Sequence, residues 1–557
     1  MKYVIPAIMV TLILAPTIWF LTVYPDKAQK VPRTYVEWNQ LVDDDSQVLE
    51  YEITVPTRHF EKEAYPIKVL ERVGNIKVNF NSIEPSEYAR KKDLMLATGN
   101  VPEIFDMEAM GVARYAKQNV LAPVPLNMLK KYCPSYVKLV NKYAPYIWLG
   151  GTYEGENFGI PLLWISSQFP RTGVWRKDWL ENVEIYEVPE TLDEMEEAFR
   201  RFREEDPDGN GKKDTYALSG DMENWYALFT EVFGAYGVMP FNWMLNEEDE
   251  FVYGGVQPEA KLALKRLRSW FEKGYLHPEF QTDKWYREVN QKFTSGKVGY
   301  VNYMASYESF DPNNPQSNYN KIKANGGEII PAILPKGPNG DRGHRVWGAG
   351  VSYKVFSKKL LEKPEKIIRY LKVIERFMSN EQDYIEFVLG KQGVHWDWRM
   401  EGENNMGAMG LKGTFDDEEV DYGLLETRNR HGLGQFIFVE RANLHVAYLD
   451  FDQSDKYLNP NKVKFRNTYT PKEWGIQDLL GKPNMVSKTN SILTRLRQKQ
   501  IRVYVEIIIG QSSLDEFDDF VKEWYEEGGQ ELLDASRDYY NDYKEIAEQM
   551  QIEEVTK

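Results

Sequence analysis

Thr191-Leu192-Asp193-Glu194-Met195-Glu196-Glu197-Ala198-Phe199-Arg200-Arg201-Phe202-Arg203-Glu204-Glu205-Asp206-Pro207-Asp208-Gly209-Asn210-Gly211-Lys212-Lys213-Asp214-Thr215-Tyr216-Ala217-Leu218 reads as helix, loop and strand in succession. Thr191 and Glu194 have the spacing of a capping box, in which hydroxyl and carboxylate each satisfy a backbone N–H at a helix start. Leu192, Met195, Ala198, Phe199 and Phe202 recur on one helical face. The segment that follows puts oxygen side chains at loop positions 1, 3, 5 and 9 and glycine at position 6, the spacing of an EF-hand-type calcium loop. Asp206, Asp208, Asn210 and Asp214 offer side chains to a hard cation, Lys212 offers only its carbonyl, and Gly211 permits the sharp turn. Position 12 is Ala217 in place of the usual bidentate Glu, and an apolar strand pattern follows rather than a second helix. The expectation is a structural Ca²⁺ clip stapling helix to strand. The negative end of the helix dipole points toward it.

The same alternation extends along the chain. Ile76, Val78 and Phe80 alternate as a strand, and a helix over 86–98 ends at Gly99. Strands are expected over Val101–Met107, Ile329–Leu334 and Val351–Phe356. Pro364 opens a helix carrying Ile367, Ile368, Leu371 and Ile374. Ser513-Leu514-Asp515-Glu516 reads as a second capping box, with Leu514, Phe517, Val521 and Trp524 on the buried stripe and Gly528 as the stop. Mixed strands and helices throughout give an α/β protein, and 557 residues suffice for two lobes.

Composition narrows the function. A net charge of −16 argues against nucleic acid and disfavours polyanionic ligands outside a local basic pocket. Fifteen Trp and 35 Tyr suit a protein that stacks on ligands with apolar faces and polar edges, such as sugars. The single cysteine, Cys133, rules out an internal disulfide, and the six histidines show no zinc spacing. Val4 to Tyr24 is a nearly unbroken apolar run, long enough to span a bilayer or serve as a signal peptide. No Ala-x-Ala-like site or nearby cysteine follows, which favours an uncleaved signal-anchor over residues 1–24 and a polar tether over 25–32.

Several segments, in order, resemble those of the extracellular solute-binding proteins of carbohydrate ABC importers, the maltose-binding-like family 1 group. They look closest to the large Gram-positive lipoprotein branch related to alginate-oligosaccharide-binding proteins. The matching segments are Leu94 to Ile104, Trp175-Arg176-Lys177-Asp178-Trp179-Leu180, Pro189 to Glu194, Asp206 to Tyr216, Gly296-Lys297-Val298-Gly299, and Ile508-Ile509-Gly510 with Ser513 to Phe517. The resemblance spans about residues 45–545. It implies a two-lobed periplasmic-binding-protein-like (type II) fold with a hinge and an interlobe sugar cleft. Lobe one would hold 33–158 and 347–410, and lobe two 159–346 and 411–557. It also implies calcium ligands at Asp206, Asp208, Asn210, Lys212 (carbonyl) and Asp214, a monomer, an oligosaccharide ligand and membrane permease partners. The chain would act at the extracellular face of the cytoplasmic membrane, anchored by its N-terminal apolar segment, or be secreted. The family's lipid-attachment cysteine is missing here, so retention would fall to the apolar segment.

Within such a cleft the expected sugar platforms are Trp225, Trp243, Tyr303, Trp347, Trp396 and Trp398, with Asp106 or Glu108 bonding hydroxyls. Core packing is the competing reading for each ring. No nucleophile or acid/base signature is recognisable, so no catalytic residue is assigned. The leading expectation is a binding protein that delivers an oligosaccharide to an importer. A membrane-anchored carbohydrate sensor and a polysaccharide-degrading enzyme are the alternatives.

Overall fold

The computed structural model describes residues 36–57, 61, 63–220, 228–283, 286–312, 315–401, 404–415, 418–431, 433, 457–481 and 489–551. The chain divides into two units, Met1–Leu41 and Val42–Lys557. In the first unit the described structure includes a single short 3-10 turn, Trp38–Gln40. The expected anchor and tether lie outside the described residues. Among the described residues no helix is long and apolar enough to cross a membrane.

Among the described residues the second unit holds two sheets of more than two strands. The larger has the order Ile76–Ile83, Leu49–Pro56, Ile104–Met107, Gly350–Phe356, Gly159–Leu163. Its first three strands are parallel, and Gly350–Phe356 enters antiparallel between Ile104–Met107 and Gly159–Leu163. Tyr51, Ile53, Thr54 and Val55 are all buried, as expected of a parallel strand covered on both faces. The helix Tyr65–Gly74 joins the first two strands, buries Ile67, Val69 and Leu70, and ends at Asn75 in the left-handed conformation. Glu365–Ser379 buries the four expected residues Ile367, Ile368, Leu371 and Ile374, with Pro364 one place earlier than expected, at the cap.

The smaller sheet centres on Thr172–Arg176, paired antiparallel with Tyr300–Ala305 and Ile329–Pro331. Its core is aromatic. Trp175 lies 4.4 Å from Tyr300 and 5.6 Å from Phe199 (ring centroids), and Phe199 meets Trp270 edge-on at 5.1 Å. Gly173 is required here, because a Cβ would stand 2.2 Å from the Tyr300 hydroxyl. The Thr191 capping box forms as read: the Glu194 amide donates to Thr191 Oγ1 (3.2 Å) and the Thr191 amide to Glu194 Oε2 (3.1 Å). The helix Leu192–Glu204 buries the whole predicted face. Thr215–Leu218 makes isolated bridges, Tyr216 with Val298 and Leu218 with Leu276, instead of a continuous ladder.

Two readings near the C-terminus change. The Ser513 box does not form, because Glu516 and Phe517 amides bond to the Ser513 and Leu514 carbonyls in a backbone turn. Gly528, at φ +106, kinks the helix rather than ending it, and Gln530–Gln549 continues. That last helix buries Leu532, Leu533 and Tyr540 in the same core as Trp175 and Phe199, yet its end reaches the helices Leu126–Tyr132 and Pro134–Tyr143: Lys130 donates to the Gln549 carbonyl (3.0 Å) and Asn141 to that of Met550 (2.8 Å). Tyr422 and Arg430, in a stretch expected with the second lobe, make contacts with His395 and Glu61. The Tyr422 ring lies 5.0 Å from His395, and the Glu61 amide donates to the Arg430 carbonyl. Phe465 joins the satellite core under the smaller sheet. Sequence periodicity does not encode these long-range choices.

Candidate ligand-binding site

The passage from the smaller sheet back into the larger one runs through His344–Val346, Trp347 and Gly350–Phe356. Gly348 sits at φ +72 with Tyr146 so close that a Cβ would meet its hydroxyl oxygen at 2.4 Å. The Tyr146 hydroxyl oxygen accepts from the Gly350 amide at 2.8 Å, and Trp347 N–H reaches the Ser167 carbonyl at 3.3 Å. Trp347 is therefore held where the chain passes from the smaller sheet to the larger one. The Arg345 guanidinium lies 4.3 Å from its ring centroid.

Polar groups are buried beside this crossing. Burial pushes the His344 pKa down to about 4, so the ring is neutral. Its Nδ1 stands 3.0 Å from the Arg345 carbonyl, which can only accept, so Nδ1 carries the proton and Nε2 accepts from Thr230 Oγ1 at 2.7 Å. Glu231 is 1% exposed. Asn302 donates to its Oε2 at 3.2 Å, while Oε1 is enclosed with no partner among the described residues. Burial pushes this carboxyl up to about 7.

A second group forms around the hairpin of Trp396–Glu401 and Asn404–Gly410. Trp396 is largely buried and its Nε1 donates to the Gly390 carbonyl at 2.9 Å. Trp398 meets Trp396 edge-on at 5.1 Å and stacks on Tyr457 at 5.1 Å. Trp396, Tyr422 and Tyr457 wall a cavity of about 160 Å³ that Arg428 also lines.

The other expected residues go elsewhere. Trp243 is fully buried, stacked on Phe251 at 5.2 Å and tilted against Tyr253; it is a core residue and not a platform. Asp106 is spent inside the larger sheet, ion-paired with Lys354 directly across the strand pair. Glu108 pairs with the buried Lys92 at 2.8 Å, and this cation holds its carboxyl below the usual range against the opposing effect of burial. Trp225 lies outside the described residues. Tyr303 sits in the strand Tyr300–Ala305, with its side chain outside the described set. Sequence reasoning missed Arg428, Tyr457 and Glu231. Arg428 lies among the polar residues of Leu425–Arg430, where nothing marks it as enclosed.

The 206–214 loop folds on itself. Asp206 accepts from the amides of Asn210 (3.2 Å) and Gly211 (2.8 Å), and Gly209 and Gly211 take positive φ. The Asn210 amide nitrogen donates to Asp208 (2.8 Å) and Asp214 (3.0 Å), drawing three oxygen-bearing side chains together. Lys297 pairs with Asp214 at 3.1 Å. Among the described residues, no group of three or more His, Cys, Asp or Glu side chains is close enough, as placed, to hold an ion. The all-oxygen donor set and the Asp206-anchored turn nonetheless fit a hard cation in chemistry. Packed carboxylates with only amide and lysine donors between them leave Asp208 raised from its ordinary pKa, by burial first and then by Asp206.

A sequence model of the bacterial extracellular solute-binding protein family matches residues 59–359, more than half of the chain. The polygalacturonan/rhamnogalacturonan-binding protein YtcQ of Bacillus subtilis (strain 168) is 25% identical over 491 residues, 86% of this chain and 88% of its own. Among solved structures, an extracellular solute-binding protein from Bifidobacterium longum subsp. infantis is similar with a TM-score of 0.61 at 15% identity, over 90% of this chain and 100% of that one. The alginate-binding protein AlgQ2, in a structure without calcium ion, gives 0.56 at 15% identity, over 88% and 98%. These two structural likenesses support the two-lobed α/β fold.

Proposed function

Because the chain belongs to the bacterial extracellular solute-binding proteins, we propose that it captures an oligosaccharide outside the cytoplasm and hands it to an ABC importer. The observation that carries this reading is the crossing through Trp347. Here two α/β bodies are joined by short segments, and a guanidinium-backed indole stands where the chain passes from one to the other. Hinge closure over a bound ligand is the motion such a construction permits. The relative YtcQ, matched along most of both chains, is named for binding pectic glycans, which supports a saccharide cargo.

In this reading the first lobe gathers the described residues of 42–158 and 350–433 together with 457–458. The second gathers the described residues of 172–346 and of 465–551, with the terminal helix spanning both. Trp347, Trp396 and Trp398 are the retained platforms from the sequence, and Trp225 and Tyr303 remain candidates. The protein binds without catalysis, acts as a monomer and is held at the membrane by Val4–Tyr24. Asp206, Asp208, Asn210, the Lys212 carbonyl and Asp214 would hold a structural Ca²⁺. That ion would lock the turn between the helix Leu192–Glu204 and the bridges at Tyr216 and Leu218, away from the crossing.

The test is a thermal-shift screen of the protein against plant and microbial oligosaccharides. A ligand that prefers the folded state raises the melting temperature in a saturable way. A shift with one glycan class, with no product formed and with permease subunits co-purifying, supports the reading. No shift with any glycan refutes it.

A further inference from the structure

The cavity walled by Trp396, Tyr422 and Tyr457 has a feature that the oligosaccharide reading does not require. Among the described residues its lining includes the cations Arg428 and Lys462 and no Asp or Glu, in a chain with 85 acidic residues. Arg428, partly buried, differs from Arg369 and Arg266. Arg369 grips Asp43 with two 2.8 Å bonds, and Arg266 reaches Asp193 and Glu196 at 2.9 and 2.6 Å. The Arg428 side chain makes no hydrogen bond or ion pair with any described residue, and its Nε is fully enclosed without an acceptor. Burial lowers its pKa, and no carboxylate offsets that effect. An enclosed cation without a partner costs stability, and that cost is recovered when a ligand supplies the anion.

The shape narrows the ligand further. An engineered cavity of about 150 Å³ accepts one benzene ring, so 160 Å³ suits one six-membered ring. Aromatic walls suit the apolar C–H face of a pyranose. A guanidinium fork matches a carboxylate in two parallel bonds. His395, also in the lining, is held neutral by burial.

We propose that this cavity is a subsite for one carboxylate-bearing pyranose, a hexuronate unit of the cargo, with its carboxylate paired to Arg428 and its ring against Trp396 and Tyr457. The proposal rests on the oligosaccharide reading and narrows it to acidic glycans. It also places the local basic pocket that a strongly acidic protein needs in order to hold an anionic sugar.

The experiment is calorimetric titration of the full chain with homo-oligomers of galacturonate, mannuronate, guluronate and glucuronate. Each is compared with its carboxyl-reduced counterpart of the same linkage and with a sulfated neutral oligomer. At least one uronate oligomer should bind ten- to a hundredfold more tightly than its reduced form, the range of a charge-assisted hydrogen bond. Arg428→Gln should erase that preference, and Arg428→Lys should restore part of it. Without ligand, Arg428→Gln should melt no lower than the parent, because it removes an unpaired enclosed charge. Equal binding of acidic and reduced forms, a preference that survives Arg428→Gln, or binding of the sulfated oligomer alone overturns the subsite while leaving the oligosaccharide reading intact. Binding of no glycan at all overturns both.

Discussion

Lys354→Met is expected to destabilise the larger sheet by leaving the Asp106 carboxylate without its partner. The two residues are register partners on adjacent antiparallel strands and ion-pair directly. The lysine side chain is 3% exposed and the aspartate 13%. Tyr88 clamps the aspartate's backbone: its hydroxyl accepts from the Asp106 amide at 2.8 Å and stands 2.9 Å from the Asp106 carbonyl. Asp106 therefore cannot swing out to water without breaking the strand edge. Removing one member of a buried pair costs about 3–5 kcal/mol, and the residual exposure of Asp106 puts this site near 3 kcal/mol. That is roughly two powers of ten in the unfolding equilibrium. Urea unfolding followed by intrinsic fluorescence at neutral pH measures it. The double variant Lys354→Met with Asp106→Leu should recover most of the loss, because an apolar pair of similar volume replaces a desolvated ionic one. If Lys354→Met stays within about 1 kcal/mol of the parent, or the double loses the sum of both singles, the buried-pair account is refuted. Asp106→Asn should leave glycan affinity unchanged; a large loss would return Asp106 to the ligand site.

Other expectations follow from the same structure. Glu231 has a folded pKa raised from 4.5 to about 7, so its contribution is fully present below pH 4.5 and is lost as pH rises to about 7. The loss is about 3 kcal/mol. Glu231→Gln should flatten denaturation midpoints between pH 5 and 8, and an unchanged slope would count against the burial. Thr191→Ala should cost about 1 kcal/mol through loss of the cap, read as a lower urea midpoint. Calcium should raise the melting temperature of the ligand-free protein and Asp208→Ala should abolish the increment; equal melting in calcium and in chelator would dismiss the metal clip. Gly348→Ala should lower the melting temperature, since its φ of +72 and the Tyr146 hydroxyl both oppose a Cβ.

The parts of this fold that were legible in sequence are those governed by neighbours within a few residues. The Leu192–Glu204 helix was read with its cap and buried face because hydroxyl, carboxylate and apolar side chains repeat at helical spacing. The Asp206–Asp214 turn was legible because its glycines and aspartates impose it locally. Site residues were legible only as types. Trp243 and Trp347 are the same residue type, yet one is sealed between Phe251 and Tyr253 and the other stands at the crossing over Arg345.

The sequence by itself determined the α/β class, the Asp206–Asp214 turn and the family segments, because each depends on short-range spacing and on the chemistry of adjacent side chains. Only the tertiary structure decided that Asp106 would be consumed by Lys354, 248 positions away. It also decided that Tyr422 would lie beside His395 and that Arg428 would face a cavity with no carboxylate among its described lining residues. Burial and charge pairing are set by which distant strands and helices come together, and no local pattern carries that information.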